Sequence, residues 1–285
     1  MKKKIISVIA GVAGLVAAYF VVSGISNVIY HHPEESATAE STMESAEQGT
    51  EEAKTAMTED EINEMLSGMK ATETAETVTE EQSEVIPVKF EELQAVNPDV
   101  YAWITVPGTD IDYPILQHAS DNSYYLMHNI DGSYGYPGCI YTENMNSKDF
   151  TDNNTVIYGH NMKNGSMFAQ LHKFEDPDFF KENREVLIYL PDEVLHYTIF
   201  AAHIYDDRHL LYSFDFTDPD VYQKYLDSVF SIRDMSANID KDMTVTKNDQ
   251  IITLVTCIGS QPNNRLLVQA VLTDREAGTE AENAE

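Results

Sequence analysis

The sequence is poor in basic residues, cysteine and tryptophan. Its 285 residues include 18 Lys and Arg against 48 Asp and Glu, with only 2 Cys and 1 Trp, and the formal net charge is −30. Such an excess of negative charge repels phosphate groups, which argues against nucleic-acid binding and against electrostatic attachment to anionic lipids. Two cysteines cannot build a disulfide-rich scaffold, and they lack metal-finger spacing. The scattered acidic residues show no calcium-loop spacing, so we expect neither a metal nor a cofactor.

One long apolar run lies near the N-terminus. Residues 5–29 carry no charge and follow three consecutive lysines at residues 2–4. The run is long enough to cross ~30 Å of hydrocarbon as a helix, and the lysines before it predict a cytoplasmic N-terminus. We therefore predict a signal anchor at residues 1–30 in a single-pass protein of the cell membrane, with the rest of the chain outside the cytoplasm. A cleaved signal peptide is the alternative interpretation.

An acidic segment follows the apolar run. Residues 31–86 contain 16 acidic residues and two lysines, and no Phe, Tyr or Trp. Because such a composition buries too little apolar surface to offset the entropy of ordering, we predict a disordered tether. A capping-box pattern at residues 58–61 predicts a short helix of marginal stability within it. Residues 273–285 are predicted to form a second acidic tail.

Short apolar, β-branched runs recur between turn residues from residue 87 to residue 272, which we predict to be the folded domain. The eight runs are 102–106, 113–117, 138–141, 155–158, 186–190, 196–204, 251–255 and 266–272. Their number and spacing predict a mostly β protein with a closed or sandwiched core. Apolar residues at helical spacing predict helical insertions at residues 90–96 and 166–174, and a long helix at residues 218–233.

Three residues near predicted strand ends suggest covalent chemistry. Cys257 ends a strand ahead of a polar turn, Arg265 opens the next strand, and His160 follows a glycine after another strand. A thiolate is a nucleophile, an imidazole transfers protons, and a guanidinium donates hydrogen bonds to an oxyanion. Alone, the cysteine and the histidine each have an ordinary interpretation, as a buried small hydrophobe and as a surface-loop residue. Together the three residues form a coherent set, which we predict to share one groove.

The motifs around these residues resemble those of the sortases, and more specifically the class B sortases of Gram-positive bacteria. The signature T-L-x-T-C stands at residues 253–257, Arg265 begins the following strand, and Y-G-H-N-M stands at residues 158–162. The resemblance to class B also rests on Y-P-I-L-Q at residues 113–117 and on the long helix before the cysteine strand. It covers nearly the whole predicted domain.

The resemblance implies an eight-stranded sortase-type β-barrel with helical insertions, and an extracytoplasmic cysteine transpeptidase. By analogy, Cys257 attacks the carbonyl of a threonine in the C-terminal sorting signal of a secreted protein and forms a thioester. His160 is then the proton donor and acceptor, and Arg265 stabilises the oxyanion or the substrate. An amine, in this family usually that of a peptidoglycan precursor, resolves the thioester.

The resemblance leaves the details of recognition open. It suggests a sorting signal of N-P-x-T-x type, with Leu116, Leu211, Tyr212 and Thr256 as candidate substrate contacts; ordinary barrel packing is their alternative role. A pilin-polymerising sortase and an exported cysteine peptidase that hydrolyses the thioester are alternative functions. A tethered binding module with an inactive site would lack one of the three chemical residues, and all three are present. Cys139 stands where the family more often has a small residue such as serine or alanine, and we expect no disulfide between it and the predicted nucleophile.

Overall fold

The computed structural model describes residues 57–70 and 84–280. The predicted membrane anchor and much of the predicted tether lie outside these ranges. Within them, every helix is too short or too polar to cross a bilayer.

Eight of the ten described strands close into a barrel. In chain order the strands are β1 (Glu84–Ile86), β2 (Val100–Val106), β3 (Ile111–Leu116), β4 (Ile140–Thr142), β5 (Asn154–Tyr158), β6 (Glu185–Tyr189), β7 (Glu193–Asp206), β8 (Asn238–Ile239), β9 (Ile251–Ile258) and β10 (Gln261–Glu280). Hydrogen bonds connect them in the order β10-β9-β5-β4-β3-β2-β6-β7, and β7 pairs again with β10. The predicted eight-stranded barrel is therefore confirmed, with β1 and β8 added outside the closed set.

Helices decorate the barrel. They are α1 (Glu59–Gly68), α2 (Phe90–Val96), α3 (Pro177–Glu182), α4 (Leu210–Ser213) and α5 (Pro219–Phe230), with 3₁₀ helices at Tyr124–Leu126 and Phe168–Glu175. The long helix α5 begins as its sequence predicts, because the Asp218 side chain accepts hydrogen bonds from two backbone N–H groups of the first turn. Its buried face packs against the barrel.

The segment predicted as a helix at residues 166–174 is a 3₁₀ helix rather than an α-helix. Phe168, Leu171 and Phe174 are its buried side chains. A spacing of three aligns them on a helix with three residues per turn, whereas an α-helix would spread them over an arc of about 120°. The same geometry aligns two polar residues of this helix beside the active site, as described below.

The C-terminal prediction is wrong for residues 273–280, which extend β10 instead of forming a tail. Three of these eight residues are acidic and most of the eight are exposed, but their backbone pairs with β7 as far as Ala277 and with β1 beyond it. Arg275 also forms a 2.7 Å ion pair with Glu193 of β7. An acidic composition predicts that side chains are exposed, but it does not predict whether the backbone pairs with a neighbouring strand. The composition of residues 273–280 therefore does not distinguish an exposed strand end from a tail.

The tether prediction is wrong for residues 57–70, because α1 docks onto the folded domain, and for residues 84–86, which form β1 and pair with β10. The capping box forms as predicted, since the Glu61 N–H donates to Thr58 Oγ1 and the Thr58 N–H donates to the Glu61 carboxylate. Ile62 and Leu66, one helical turn apart, are 5% and 7% exposed within an apolar cluster of the domain. Lys70 then forms a 2.6 Å ion pair with Asp112 on β3. A few apolar residues on one helix face are thus enough to dock an acidic segment.

Replacement of Leu66 by alanine should destabilise the whole domain. Deletion of a buried leucine side chain costs about 2–4 kcal/mol of unfolding free energy. Urea unfolding of a fragment that lacks residues 1–30 measures this loss, and Glu64→Ala on the exposed face of the same helix is the matched control. If α1 were an undocked tether, both variants would unfold at the wild-type urea concentration.

Candidate active site

The barrel topology brings three strand ends together. β5 and β9 are parallel neighbours, so both end at the same edge of the sheet, and β10 begins at that edge in the opposite direction. Arg265 lies directly opposite Cys257 in the β9–β10 register. His160 follows the last residue of β5 by two positions. The strand pairing alone therefore gathers the three residues that the sequence predicted to share a groove.

These residues line one groove of about 400 Å³. Its walls are lined by Leu126, Tyr141, Glu143, Tyr158, Gly159, His160, Tyr205, Asp207, Arg208, His209, Leu210, Val255, Thr256, Cys257, Arg265 and Leu267. The thiol of Cys257 is free and exposed, whereas Cys139 is a free thiol buried elsewhere in the domain. Cys257 and His160 also line a second cavity of about 600 Å³ together with Tyr136. The Cys257 thiol is thus accessible from two sides.

The His160 ring is held by a backbone contact. Its Nε2 atom lies 2.7 Å from the carbonyl oxygen of Leu126. Because a carbonyl oxygen only accepts hydrogen bonds, Nε2 carries the hydrogen in this contact and Nδ1 is left for proton exchange. The ring of Tyr136 packs against the imidazole at a centroid distance of 5.2 Å.

The guanidinium of Arg265 is fixed by its own turn. Nη1 donates to the carbonyl oxygens of Pro262 and Asn264, at 2.9 and 3.0 Å. These bonds set the plane of the group while using only one of its three nitrogens. In the described part of the chain, Nε and Nη2 make no hydrogen bond, so they can serve a ligand in the groove.

The sequence did not indicate the buried acidic residue of the groove. Glu143 follows β4, is 7% exposed and places Oε1 2.7 Å from His209 Nε2. Neither Glu143 Oε2 nor His209 Nδ1 has a hydrogen-bond partner among the described residues. Burial, followed by the charge of this carboxylate, raises the pKa of Tyr158 well above its ordinary value. No motif marks Glu143 or His209, because their partnership arises from two distant segments that meet only in the folded barrel.

The predicted substrate contacts fall in three different places. Thr256 lines the groove, and its hydroxyl donates to the carbonyl of Gly159 at 2.9 Å, which ties β9 to the turn before the histidine. Leu211 and Tyr212 line a separate cavity of about 540 Å³. Tyr212 nevertheless packs against His209 of the groove, with ring centroids 4.4 Å apart. Leu116 has no exposed surface, so the prediction that it contacts substrate is wrong and its role is core packing.

Comparison with known proteins agrees with this geometry. The family model of the sortase domain matches residues 104–273. The chain belongs to the sortase family. It is 32% identical to sortase B of Listeria monocytogenes over 215 residues, which cover 74% of this chain and 85% of that protein. The predicted sortase resemblance is therefore confirmed.

Solved sortase structures place the chain in class B. The crystal structure of Clostridium perfringens sortase B matches with a TM-score of 0.58 and 33% identity, over 65% of this chain and 100% of that one. The Staphylococcus aureus sortase B–substrate complex matches with a TM-score of 0.57 and 27% identity, over 65% of this chain and 84% of that one. This sortase is thus an enzyme of the class B type, a cysteine transpeptidase.

Proposed function

We propose that this sortase cleaves a C-terminal sorting signal after threonine and joins the protein to an amine of the cell-wall peptidoglycan. The observation that carries the proposal is the single groove shared by an exposed thiol, a histidine and an arginine with free donors. This set of groups is what acyl transfer through a thioester requires.

Acylation begins with attack of the Cys257 thiolate on the threonine carbonyl. The free Nε and Nη2 hydrogens of Arg265 would donate to the oxyanion that forms. Protonated Nδ1 of His160 gives its proton to the departing amine, and the C–N bond breaks as the thioester forms. In the second half-reaction the incoming amine attacks the thioester and gives a proton to the same nitrogen, the C–S bond breaks, and the Cys257 thiolate and the protonated His160 are restored.

The groove suits a short extended peptide. Its walls combine aromatic and aliphatic side chains with the polar pair Glu143 and His209 at one side. One of the matching structures is the complex of Staphylococcus aureus sortase B with its substrate. This match supports the proposal that the groove of the present chain also binds a substrate. We propose an N-P-x-T-x type signal, with Thr256 beside the nucleophile and Tyr212 as an outer contact through its packing against His209. Leu211, beside Tyr212, is proposed to line the same outer region.

We infer a location at the outer face of the cell membrane. The uncharged run at residues 5–29 and the lysines before it support a cytoplasmic N-terminus and an extracellular catalytic domain. Clients would then be secreted proteins that carry the signal, and the acceptor would be a peptidoglycan precursor at the same surface.

Product analysis with and without an amine tests the proposed reaction. A fluorescent N-P-x-T-x peptide is incubated with the enzyme and triglycine, and products are separated by mass. We expect a triglycine-linked product and faster release of the C-terminal fragment, because the amine resolves the thioester faster than water does. Only the free acid, at a rate that triglycine leaves unchanged, would instead indicate the exported peptidase. Preference for a protein lysine over triglycine would indicate the pilin-polymerising alternative.

A further inference from the structure

β9 loses one of its two neighbours, β5, just before Cys257, and keeps the other, β10. β5 pairs with β9 as far as Val255, whose carbonyl oxygen accepts a hydrogen bond from the Gly159 N–H at 3.1 Å. Alternate residues of a strand direct their carbonyls to the same edge, so the carbonyl of Cys257 also faces the β5 side. In a continued parallel pair its donor would be the backbone N–H of residue 161. The chain has left the sheet by then.

Two side chains occupy the place of the missing strand. The Asn161 side-chain amide donates to the Cys257 carbonyl oxygen at 2.9 Å, and His172 Nε2 lies 3.1 Å from the same oxygen. The two side chains also contact each other, with Asn161 Nδ2 3.0 Å from His172 Nε2. The residue that would have supplied the backbone donor thus supplies a side-chain donor instead.

The 3₁₀ helix at Phe168–Glu175 explains why His172 is available. Side chains three residues apart are eclipsed on such a helix, and Glu175 Oε2 lies 3.1 Å from His172 Nδ1. The helix is anchored beside the active-site turn, because the Phe168 N–H donates to the carbonyl of His160 at 2.9 Å. The imidazole is therefore held from both sides.

The hydrogen bonds of the Asn161, His172 and Glu175 side chains are all satisfied when the His172 ring is neutral. In the neutral ring, Nδ1–H donates to Glu175, and the Asn161 amide donates one hydrogen to Nε2 and the other to the Cys257 carbonyl. In the charged ring, Nε2–H would donate to that carbonyl but would also face the Asn161 amide hydrogens at 3.0 Å, so the arrangement favours the neutral ring. The Cys257 carbonyl has a donor from Asn161 in either case.

We propose that Asn161, His172 and Glu175 form a positioning unit for the nucleophile. By fixing the peptide unit after Cys257, they fix the direction in which its side chain leaves the backbone and meets a peptide in the groove. His172 lines neither of the two cavities beside the thiol, so it acts through Cys257 and not on the substrate. This inference rests on the proposed role of Cys257 as the nucleophile.

A matched pair of substitutions at one position tests the unit. His172→Gln keeps a nitrogen near the Nε2 position, whereas His172→Asn reaches only the Nδ1 position and leaves the Cys257 carbonyl uncontacted by residue 172. We expect His172→Asn to lower kcat for peptide cleavage about tenfold with KM unchanged, because small misplacements of a reacting group are costly in rate. His172→Gln should stay within about twofold of the wild type, since its donor is retained. Melting temperatures should be alike in the two variants.

Two further measurements distinguish positioning from other roles. The alkylation rate of the Cys257 thiol by iodoacetamide, measured against pH, should be the same in both variants, because a small reagent needs no fixed direction of approach. The double variant Asn161→Ala, His172→Asn should have nearly the same kcat as Asn161→Ala alone. The two side chains act as one unit, so the second substitution removes little more. His196→Asn, which breaks the 2.7 Å pair with Glu84 away from the groove, should leave kcat unchanged.

Failure of the positioning unit can be distinguished from failure of the proposed function. Equal kcat in the Asn and Gln variants, or a fall in kcat that follows a fall in melting temperature, would overturn the positioning unit. A shifted pH profile of alkylation would overturn it too, by assigning His172 to the ionisation of the thiol. In each of these cases Cys257→Ala still reports on the proposed function separately, since that function requires the loss of all turnover in this variant.

Discussion

Cys257→Ala should abolish turnover of a sorting-signal peptide, while Cys139→Ala should keep most of it. Removal of a catalytic nucleophile costs roughly 10⁴- to 10⁶-fold in kcat. Only Cys257 is exposed in the groove with the histidine and the arginine. Burial, and secondarily the charge of Asp131, raises the pKa of the Cys139 thiol far above its ordinary value, so this thiol stays protonated. Release of the labelled C-terminal fragment measures both variants.

The control tests whether the loss is chemical. Cys139 contacts the carbonyl of His128 through its sulfur at 3.4 Å, so its replacement perturbs packing without touching the groove. Matching losses in the two variants would mean that the cysteines have a structural role, and the single-nucleophile mechanism would have to be given up. A thioester trapped on the wild-type enzyme and absent from Cys257→Ala would identify the attacking sulfur directly.

Arg265→Lys should slow acylation by about 10²- to 10³-fold, or roughly 3–4 kcal/mol, the cost of losing an oriented oxyanion donor. Lysine keeps the positive charge but not the planar fork. In the wild type, the carbonyls of Pro262 and Asn264 hold one nitrogen of the guanidinium and leave the other two for a ligand. An ammonium held by the same carbonyls would have no second nitrogen to offer. Single-turnover acylation of the peptide measures the change.

Alkylation of the thiol by a small neutral reagent separates orientation from charge. The reagent forms no oxyanion, so its rate should change little in Arg265→Lys. Near-normal transpeptidation by this variant would refute the oriented-donor role. If acylation and alkylation fell together, Arg265 would instead act on the ionisation of the thiol.

The barrel was predictable because its signals are local. Eight β-branched runs bounded by turn residues became strands, and α5 begins at the cap residue that precedes its proline. Two predictions failed where local composition and tertiary pairing disagree. The acidic stretch that contains α1 docks through Ile62 and Leu66, and the acidic end of β10 pairs through its backbone. Neither feature is visible in average charge or hydropathy.

The three chemical residues were predictable because each stands at a strand end beside a turn. The side chains that surround these three residues in the folded protein were not predictable in the same way. Glu143 and His209 are 66 residues apart in sequence, and the contact of Asn161 with the Cys257 carbonyl spans 96. Leu116 shows the opposite error, since its place in a family-like motif suggested contact while the register of β3 turned it into the core. Side-chain direction depends on this register, which one sequence does not reveal.

Docking of α1 shortens the distance over which an anchored enzyme could work. With an anchor ending at residue 30, the chain between the membrane and the first docked segment would be residues 31–56, about 26 residues, which extend to at most ~90 Å. A tether running to residue 86 would have permitted about twice that reach. The volume that the groove can reach grows with the cube of the tether length. Halving that length would therefore confine the groove to roughly a tenth of the volume that the longer tether allows. It would thereby raise the local concentration of the enzyme against substrates held at the same membrane.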